Sequence, residues 1–351
     1  MQEVENKIRV VHLVTALESG GAEKVLFDTI CHTRYEYDHQ VVVLSKKGAY
    51  LEKILNIGVT VETITFKLLF SLLLSKKKCI VHSYLYHSHM ASLLFKLVGC
   101  PVIWSIHSSI LTSTFINYKL KITALLSYAV PRKIIFVSRL SQQQHVQCGF
   151  TKKKSVVIYN GVDSRLFNNK ACGLHMDRRN VSIAMIARFH PIKDHERFLS
   201  IAAIALRMNP SCCFYLIGKD NDNSNRELLS LIRKYNLVER VKLLGEVDKI
   251  PELLPCFDLL VSTSKSESFG LTIVEAILSN TNISTVNLAI MDELFGSYSP
   301  NTGELADEDI AQIWLERSKV KPEAALTRYA KKYSINEMIK SYQSIYKGYS
   351  K

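Results

Sequence analysis

Short apolar runs alternate with segments of helical period along almost the whole chain. An uninterrupted apolar run is typical of a strand that is buried on both faces of a parallel sheet. The segments between these runs repeat apolar residues at spacings of three and four, as amphipathic helices do. The pattern therefore predicts an α/β protein, with strands at 9–15, 40–44, 79–84, 102–107, 133–137, 155–159, 182–187, 212–217, 241–244 and 258–262.

A polar and poorly patterned stretch at 168–180 interrupts this alternation, which then restarts. We therefore predict two α/β domains, at 1–165 and 166–332. A last amphipathic helix is predicted at 333–351, where Ser334 and Glu337 have the spacing of a capping box. This helix is expected to return toward the first domain.

The net charge of +13 is concentrated in one part of the chain. Residues 46–154 contain 16 lysines and arginines but only two carboxylates, whereas residues 166–351 contain 24 basic and 22 acidic side chains. Such asymmetry indicates a polyanionic partner. The lysine clusters at 76–78 and 152–154 adjoin Leu- and Phe-rich segments, which favours an anionic membrane surface over nucleic acid. A solvated basic face is the alternative.

Two further features concern the location of the protein. The longest apolar run, 68–74, is far shorter than the roughly 18 residues of a membrane-spanning helix, and the polar segment 1–7 does not resemble a secretory signal. The eight cysteines include no Cys-x-x-Cys pair and lie mostly in apolar runs, as reduced core thiols do. We therefore expect a cytoplasmic protein that is soluble or peripheral at the inner face of the plasma membrane.

Two carboxylates flank a predicted junction between a strand and a helix. Glu267 lies in the loop and Glu275 lies about one turn inside the helix. Between them, Phe269, Gly270 and Leu271 place backbone amides at the helix N-terminus, where unpaired donors and the helix dipole favour an anion. A phosphate site between two carboxylates that can bind hydroxyl groups suits a nucleotide sugar.

Two other loops carry candidate chemistry. Arg188 and Lys193 follow a predicted strand, and two cations at its carboxyl end can neutralise a diphosphate. Gly20 and Gly21 lie between the first strand and its helix, where backbone can approach a ligand closely. Because this loop lacks the Gly-x-Gly-x-x-Gly pattern, it does not favour a nicotinamide dinucleotide.

Taken together, these motifs resemble the retaining glycosyltransferases of family 4, a GT-B group that includes many bacterial polysaccharide and lipopolysaccharide enzymes. The resemblance covers essentially the whole chain and implies two Rossmann-like domains that face a central cleft. The motifs occur in family order: Gly20-Gly21-Ala22-Glu23, Val81-His82-Ser83, His107, Phe136-Val137-Ser138, Asn160-Gly161-Val162-Asp163, Ala187-Arg188 with Lys193-Asp194, Leu244-Gly245, and Glu267-Ser268-Phe269-Gly270 with Glu275-Ala276.

The resemblance implies a role for each matching residue of the second domain. Arg188 and Lys193 would bind the donor diphosphate, and Glu275 would bind the ribose hydroxyls of the nucleotide. Glu267 would hold hydroxyl groups of the transferred sugar, next to the backbone amides of 269–271.

In the first domain, the resemblance implies that Gly20 and Gly21 let the loop close over the donor and that His107 lines the sugar and acceptor side. The family mechanism implies retention of configuration by same-face attack, with no protein nucleophile. The catalytic group is then His107, Glu267, Arg188 and Lys193, and no metal cofactor is expected.

The segment after Glu275 departs from the family pattern. The family places a Gly, a Pro and a Gly-Gly turn before a Glu, whereas this chain has Asn280, Asn282, Ala289 and Ile290, followed by Glu293. The shape of the donor-sugar end of the site is therefore the part that the resemblance predicts least.

Two groups could be mistaken for metal sites. Asp220-Asn221-Asp222 has the Asp-x-Asp form, but it follows a strand in a polar turn where Asp and Asn are common. His82, His87 and His89 lie in an apolar and aromatic segment without a carboxylate nearby in sequence. For these histidines we expect a role in packing or near the acceptor.

The predicted function is transfer of a sugar from a nucleotide-sugar donor, UDP-linked, to a lipid-linked saccharide acceptor in the synthesis of a bacterial surface polysaccharide such as O-antigen, capsule or lipopolysaccharide. The predicted partners are this donor, this acceptor and the anionic inner membrane surface, and no nucleic acid is expected. One alternative is a nucleotide-sugar hydrolase or epimerase on the same fold. Another, from a different class, is a catalytically weak basic scaffold or nucleic-acid-binding protein.

Overall fold

The computed structural model describes residues 7–45, 48–74, 79–110, 118–167, 172–174 and 179–349. The chain divides into two compact units: the first comprises residues 1–161 and 335–351, and the second comprises residues 162–334. Each unit is built on one parallel sheet, as the alternating pattern predicts. The chain therefore enters the second unit once, leaves it once, and ends in the first.

The first unit has a seven-stranded sheet in the order β3-β2-β1-β4-β5-β6-β7. Its strands are β1 Arg9–Val14, β2 Asp38–Val43, β3 Thr60–Thr63, β4 Cys79–Tyr84, β5 Val102–Ile106, β6 Lys133–Phe136 and β7 Ser155–Val157. Its helices are α1 Gly21–Thr33, α2 Tyr50–Asn56, α3 Phe66–Leu74, α4 Tyr86–Leu97, α5 Tyr118–Ala129, α6 Arg139–Gln147 and the last helix of the chain, α15 Ile335–Gly348.

Helices cover both faces of this sheet. Leu72 of α3, Phe95 of α4 and Ala124 of α5 pack in one core with Leu13 and Trp104 of the strands. On the other face, α1 and α2 pack with alternate residues of β1 and β2. The helix α15 joins that face, where the ring of Tyr346 meets Tyr37 edge-on at 5.4 Å. Both faces of the strands are thus buried, which explains their uninterrupted apolar runs.

The second unit has a five-stranded parallel sheet in the order β10-β9-β8-β11-β12. Its strands are β8 Val181–Ile186, β9 Cys212–Ile217, β10 Val241–Gly245, β11 Leu259–Ser262 and β12 Asn282–Thr285. Its helices are α7 Ser164–Phe167, α8 His195–Met208, α9 Arg226–Lys234, α10 Ile250–Leu253, α11 Leu271–Leu278, α12 Ala289–Phe295, α13 Asp307–Arg317 and α14 Ala324–Ala330, with short 3-10 turns at Pro191–Lys193, Leu254–Cys256 and Gly296–Tyr298.

Two strands, β3 and β12, were not predicted from the sequence, and in each case there is a physical reason. Strand β3 lies at the edge of its sheet and buries only Val61, so it lacks an apolar run. Strand β12 is polar in sequence but fully buried, and the amide of Asn282 donates to the carbonyl of Arg317 at 2.9 Å. Buried polar side chains that form hydrogen bonds replace the apolar signal there.

The expectation that all eight cysteines are reduced is wrong for one pair. Cys172 and Cys256 form a disulfide with a Cα–Cα distance of 4.8 Å. The backbone amide of Gly173 donates to the carbonyl of Glu252, which holds residues 172–174 against α10. The pairing was not visible in the sequence because the two cysteines are 84 residues apart.

Among the described residues, no helix is both long enough and apolar enough to cross a membrane. The apolar run at 68–74 instead forms most of α3. The lysine cluster predicted at 76–78 lies outside the described residues.

Candidate active site

In the second unit, the loop after β8 is held against the loop after β11. The side chain of Thr263 donates to the carbonyl oxygens of Lys193 and Asp194, at 3.1 and 2.9 Å. The amide of Lys265 donates to the carbonyl of Ile192 at 2.8 Å. Both loops leave the carboxyl ends of neighbouring strands, where open α/β sheets bind their ligands.

These contacts bring together two residues that the sequence separates by 74 positions. The ammonium group of Lys193 forms an ion pair with Glu267 Oε1, and Ser264 Oγ donates to the same oxygen at 3.1 Å. Both charged side chains are about four-fifths buried, at 21% and 20% exposure. A charge-assisted hydrogen bond of this kind fixes the directions of cation and carboxylate. The pair was not predicted, although both of its members were.

Positive charge concentrates in the loop after β8. Burial lowers the pKa of His190, and the nearby charges of Arg188 and Lys193 lower it further. Both cations therefore act on the same small region. Two neighbouring cations can stabilise an anionic ligand, although Lys193 is paired with Glu267 in this structure.

The helix α11 begins at Leu271, directly after these loops. Gly270 has a φ of +83°, and a Cβ at this position would lie 2.9 Å from Cε of Met291, so glycine is needed here. Phe269 is buried and meets the ring of Tyr333 edge-on at 5.3 Å. The predicted amides thus lie at a real helix N-terminus, and Glu275 lies buried within the same helix.

The segment after Glu275, which departs from the family pattern, shows little backbone strain although it lacks the family's glycines. Asn280 has a φ of +59° and Asn287 a φ of +49°, a region that glycine and asparagine tolerate best. The side chain of Asn301 accepts from the amide of Leu288 at 2.9 Å, just before α12. Ala289 and Ile290, which stand at the Gly-Gly places of the family pattern, are the first two residues of α12, so no glycine conformation is needed there. Glu293 lies within α12.

In the first unit, the candidate residues lie at the carboxyl ends of β1, β4 and β5. His107 follows β5 and stacks on Tyr84 with ring centroids 5.7 Å apart. Burial lowers the pKa of His107 to about 3. The ring is therefore neutral at physiological pH, so it can exchange hydrogen bonds with a hydroxyl group but cannot serve as an imidazolium acid.

A cavity of about 230 Å³ lies beside His107. Its lining includes Thr15, Tyr86, His89 and Leu85, which has a φ of +69° although it is not a glycine. The cavity is at the point where strand order reverses between β1 and β4. Ligand sites of open α/β sheets occur at such switch points, and strained backbone is common there.

Gly20 precedes α1, which begins at Gly21. A Cβ at Gly20 would lie 2.5 Å from a carboxylate oxygen of Glu23. The buried side chain of Glu23 therefore occupies the space that this glycine leaves. Sequence reasoning assigned the open space at Gly20 to a ligand and missed this use of the glycine.

The two possible metal groups have other roles in the structure. Asp222 Oδ1 accepts hydrogen bonds from Ser224, as in an ordinary polar turn. His82 is fully buried and bonds Tyr346 and Ser105, both at 2.6 Å, whereas His89 bonds Ser83. No cluster of three metal-binding side chains occurs in the part of the chain that the structure describes.

Two family models match this chain. The model described as Glycosyl transferases group 1 matches residues 175–337, and that of Glycosyltransferase Family 4 matches residues 8–166. Together the matches span almost the whole chain.

Individual proteins agree with these matches. The capsular polysaccharide biosynthesis glycosyltransferase CapH of Staphylococcus aureus is 23% identical over 326 residues, which cover 89% of this chain and 90% of that protein. The O-antigen biosynthesis glycosyltransferase WclY of Escherichia coli is 23% identical over 205 residues, covering 56% of this chain and 57% of that protein. The crystal structure of Anabaena HepE in complex with UDP-glucose has a TM-score of 0.84 at 18% identity, covering 97% of this chain and 100% of that one.

The fold is therefore GT-B, with two Rossmann-like units. The chain belongs to the glycosyltransferases of family 4, in glycosyl transferases group 1, and is an enzyme of that class.

Proposed function

We propose that this glycosyltransferase moves a sugar from a UDP-linked donor to a lipid-linked saccharide acceptor, with retention of configuration, in the synthesis of a bacterial surface polysaccharide. One observation carries the proposal: Lys193 and Glu267 are paired beside the N-terminus of α11. The names of CapH and WclY support the polysaccharide product, and the UDP-glucose bound to HepE supports the donor.

In this proposal Arg188 and Lys193 bind the donor diphosphate, together with backbone amides at the start of α11. Glu275 binds the ribose hydroxyls and Glu267 binds the transferred sugar. A bound diphosphate competes with Glu267 for Lys193, so donor binding turns the carboxylate toward the hydroxyl groups of the sugar.

The residues of the first unit take the remaining roles. Gly20 and Gly21 let backbone approach the donor. His107, neutral at physiological pH, exchanges a hydrogen bond with the sugar or the acceptor.

The chemistry follows from the growth of charge during transfer. As the glycosidic bond to the phosphate breaks, negative charge grows on the leaving diphosphate and positive charge on the sugar ring. Arg188, Lys193 and the helix N-terminus stabilise the former without reorganising, which lowers the barrier. The acceptor hydroxyl attacks from the same face, its oxygen forms the new bond, and its proton passes to the leaving phosphate. In this proposal no protein nucleophile is used, and the two side-chain cations supply the charge that a metal would otherwise bring.

A thermal-shift panel tests the donor. UDP and UDP-sugars are expected to raise the melting temperature, because a ligand that binds only the folded protein stabilises it, whereas GDP and ADP have smaller effects. The Lys193→Ala variant is expected to lose most of the UDP shift, and Lys242→Ala, an exposed lysine on β10, serves as the control. If no nucleotide shifts the melting temperature, the proposal is wrong.

The reaction is then tested by UDP release with and without a polyprenyl-diphosphate-linked saccharide. Release that requires the acceptor is expected. Equal release of free UDP and sugar without the acceptor would instead identify a nucleotide-sugar hydrolase.

We also propose that the enzyme works at the inner face of the cytoplasmic membrane, because lipid-linked acceptors reside in a bilayer and the first unit is strongly basic.

A further inference from the structure

Three helices of the first unit expose apolar side chains on the side that faces away from their sheet. The helix α3 buries only Leu68 and Leu72, and its outer side presents Phe66, Phe70 and Leu74. Phe66 is 93% exposed and Phe70 is 62% exposed. The exposed residues follow a spacing of four, so they form one stripe along the helix.

The helix α5 repeats this arrangement. Tyr118, Ile122, Leu125 and Tyr128 are exposed at spacings of three and four, and Leu125 is 74% exposed. Between α3 and α5 in the chain, α4 packs on the same side of the sheet and exposes Leu97 at 73%. We call the exposed residues of α3 and α5, together with Leu97, the outer face.

Positive charge accompanies these apolar side chains, and negative charge is absent from the sequence around them. No Asp or Glu occurs between Glu62 and Asp163, a segment that contains all three helices. Lys67 and Lys121 project from α3 and α5 and are exposed. The outer face is therefore both apolar and cationic.

A cluster of cations lies at the C-terminus of α5. Lys96 Nζ donates to the carbonyl of Ala129 at 2.7 Å, and Lys154 Nζ donates to the carbonyl of Tyr128. Burial lowers the pKa of Lys154, as do the nearby charges of Lys96 and Arg132. Three cations thus lie next to one edge of the outer face.

We propose that the outer face docks on an anionic lipid bilayer. Phe and Leu side chains enter the boundary of the acyl chains, the tyrosines lie at the headgroup level, and the lysines contact lipid phosphates. This inference deepens the membrane location within the proposed function. It names the surface and the lipid charge that the location requires.

Other occupants fit the outer face less well. A second copy bound through the same face by two-fold symmetry would bring equal positive charges together. A nucleic acid would use the lysines but would leave the apolar stripe of α3 in water. An anionic bilayer offers both an apolar interior and negative charge, so it matches both features.

Vesicle flotation of the full chain tests the proposal. We expect strong binding to an equal mixture of phosphatidylcholine and phosphatidylglycerol, and weak binding to phosphatidylcholine alone. The double variant Lys67→Glu with Lys121→Glu is expected to bind at least about tenfold more weakly. Phe70→Ser with Leu125→Ser is expected to lose a similar factor, because two exposed apolar side chains no longer leave water.

Matched variants control for charge and for apolar area. Lys242→Glu with Lys321→Glu changes the same charge in the second unit, and Leu55→Ser with Val238→Ser removes exposed apolar side chains elsewhere. Both controls should bind vesicles as the wild type does.

Fluorescence tests insertion directly. Trp104 and Trp314 are buried, so the Phe66→Trp variant adds one exposed reporter. Its emission is expected to shift to shorter wavelength with anionic vesicles, whereas that of Leu55→Trp is not.

Equal binding to the two kinds of vesicle would overturn the proposal, as would unchanged binding of both outer-face variants. It would also be overturned if the wild type formed a dimer that Phe70→Ser with Leu125→Ser dissolves, without binding vesicles. The UDP thermal shift of each variant separates this inference from the transferase proposal. A wild type that shows a UDP shift but does not bind anionic vesicles rejects only the outer face, and vesicle binding by a wild type without any nucleotide shift rejects only the transferase.

Discussion

The two units share one architecture but differ in what they bury and in the charge they carry. Among the described residues, the first unit buries six histidine side chains in whole or in large part, at positions 12, 39, 82, 89, 107 and 145, whereas the second buries only His195 in this way. The first unit holds the excess of basic residues, and the second is nearly neutral. The same parallel α/β plan thus supports two different interiors and two different surfaces.

The difference shows where each unit places its polar chemistry. In the first unit, a network of buried side-chain hydrogen bonds crosses the core. Its members, in order, are Thr33, His39, His12, Tyr84 and His82. In the second unit, the paired charges lie in loops at the edge of the sheet. Neutral histidines can be buried because they exchange hydrogen bonds without carrying charge, whereas an ion pair is retained where water and ligands can reach it.

The largest expected difference between the two units is in the free energy of unfolding that each loses at acidic pH. Burial lowers the pKa of His39 and His145 to about 4, and it also lowers the pKa values of His12, His82 and His89. An unfolded histidine titrates near 6.5, so the unfolded chain binds more protons as the pH falls. The contribution of these histidines to the free energy of unfolding is therefore fully present above about pH 6.5. Below that pH it declines, by about 1 kcal/mol per buried histidine at pH 5.5.

Each unit contains one buried tryptophan, which allows the units to be followed separately. In the Trp314→Phe variant, Trp104 reports urea unfolding of the first unit, and in Trp104→Phe, Trp314 reports the second. Between pH 7 and 5.5 the first transition should lose several times more free energy than the second. Equal losses would contradict the comparison.

Reduction of the disulfide is expected to destabilise the second unit and not the first. The Cys172–Cys256 bond closes a loop of 84 residues in the second unit, and the chain-entropy model gives such a loop about 4.5 kcal/mol of stabilisation. Dithiothreitol should lower the Trp314 transition and leave the Trp104 transition in place. Cys172→Ser provides the matched control, since its transitions should not respond to reductant. A response of both units would show that the bond does not act locally.

Substitutions in the two units are expected to change different properties: UDP binding and kcat in the second unit, and turnover alone in the first. Lys193→Ala should weaken UDP binding and lower kcat by about 10²- to 10³-fold, because a preorganised charge on the leaving group is lost. His107→Ala in the first unit should leave the UDP thermal shift unchanged while lowering turnover. Loss of the UDP shift in His107→Ala would assign nucleotide binding to both units.

The smallest expected effect concerns the last helix. Tyr346 of α15 shares a buried hydrogen bond with His82 at 2.6 Å. Tyr346→Phe should lower the free energy of unfolding in the Trp104 transition by about 1 kcal/mol, because one hydrogen bond to a buried ring nitrogen is lost. Tyr298→Phe, which alters an exposed tyrosine of the second unit, should not change that transition. No change in Tyr346→Phe would show that α15 is held by packing alone.

Much of the fold could be predicted because its signals are local. Strands β4 and β9 begin and end as predicted, and β9 is an apolar run that lies between Ser211 and Gly218. Glu267 and Glu275 lie in the predicted loop and helix for the same reason. The predicted roles of these residues stay predictions until they are measured.

Other features could not be predicted because they depend on which distant segments meet. The pairs Lys193 with Glu267, Cys172 with Cys256, and His82 with Tyr346 are separated by 74, 84 and 264 residues. No local pattern marks such partners.

The sequence by itself determined the α/β class, the uneven charge and the family motifs, because periodicity and residue type can be read directly along the chain. Only the tertiary structure decided which cation pairs with Glu267, which cysteines join, and that exposed Phe and Leu side chains share one side of the first unit with lysines. These facts depend on strand order and helix rotation, which are set by the packing of the whole sheet and not by any one segment.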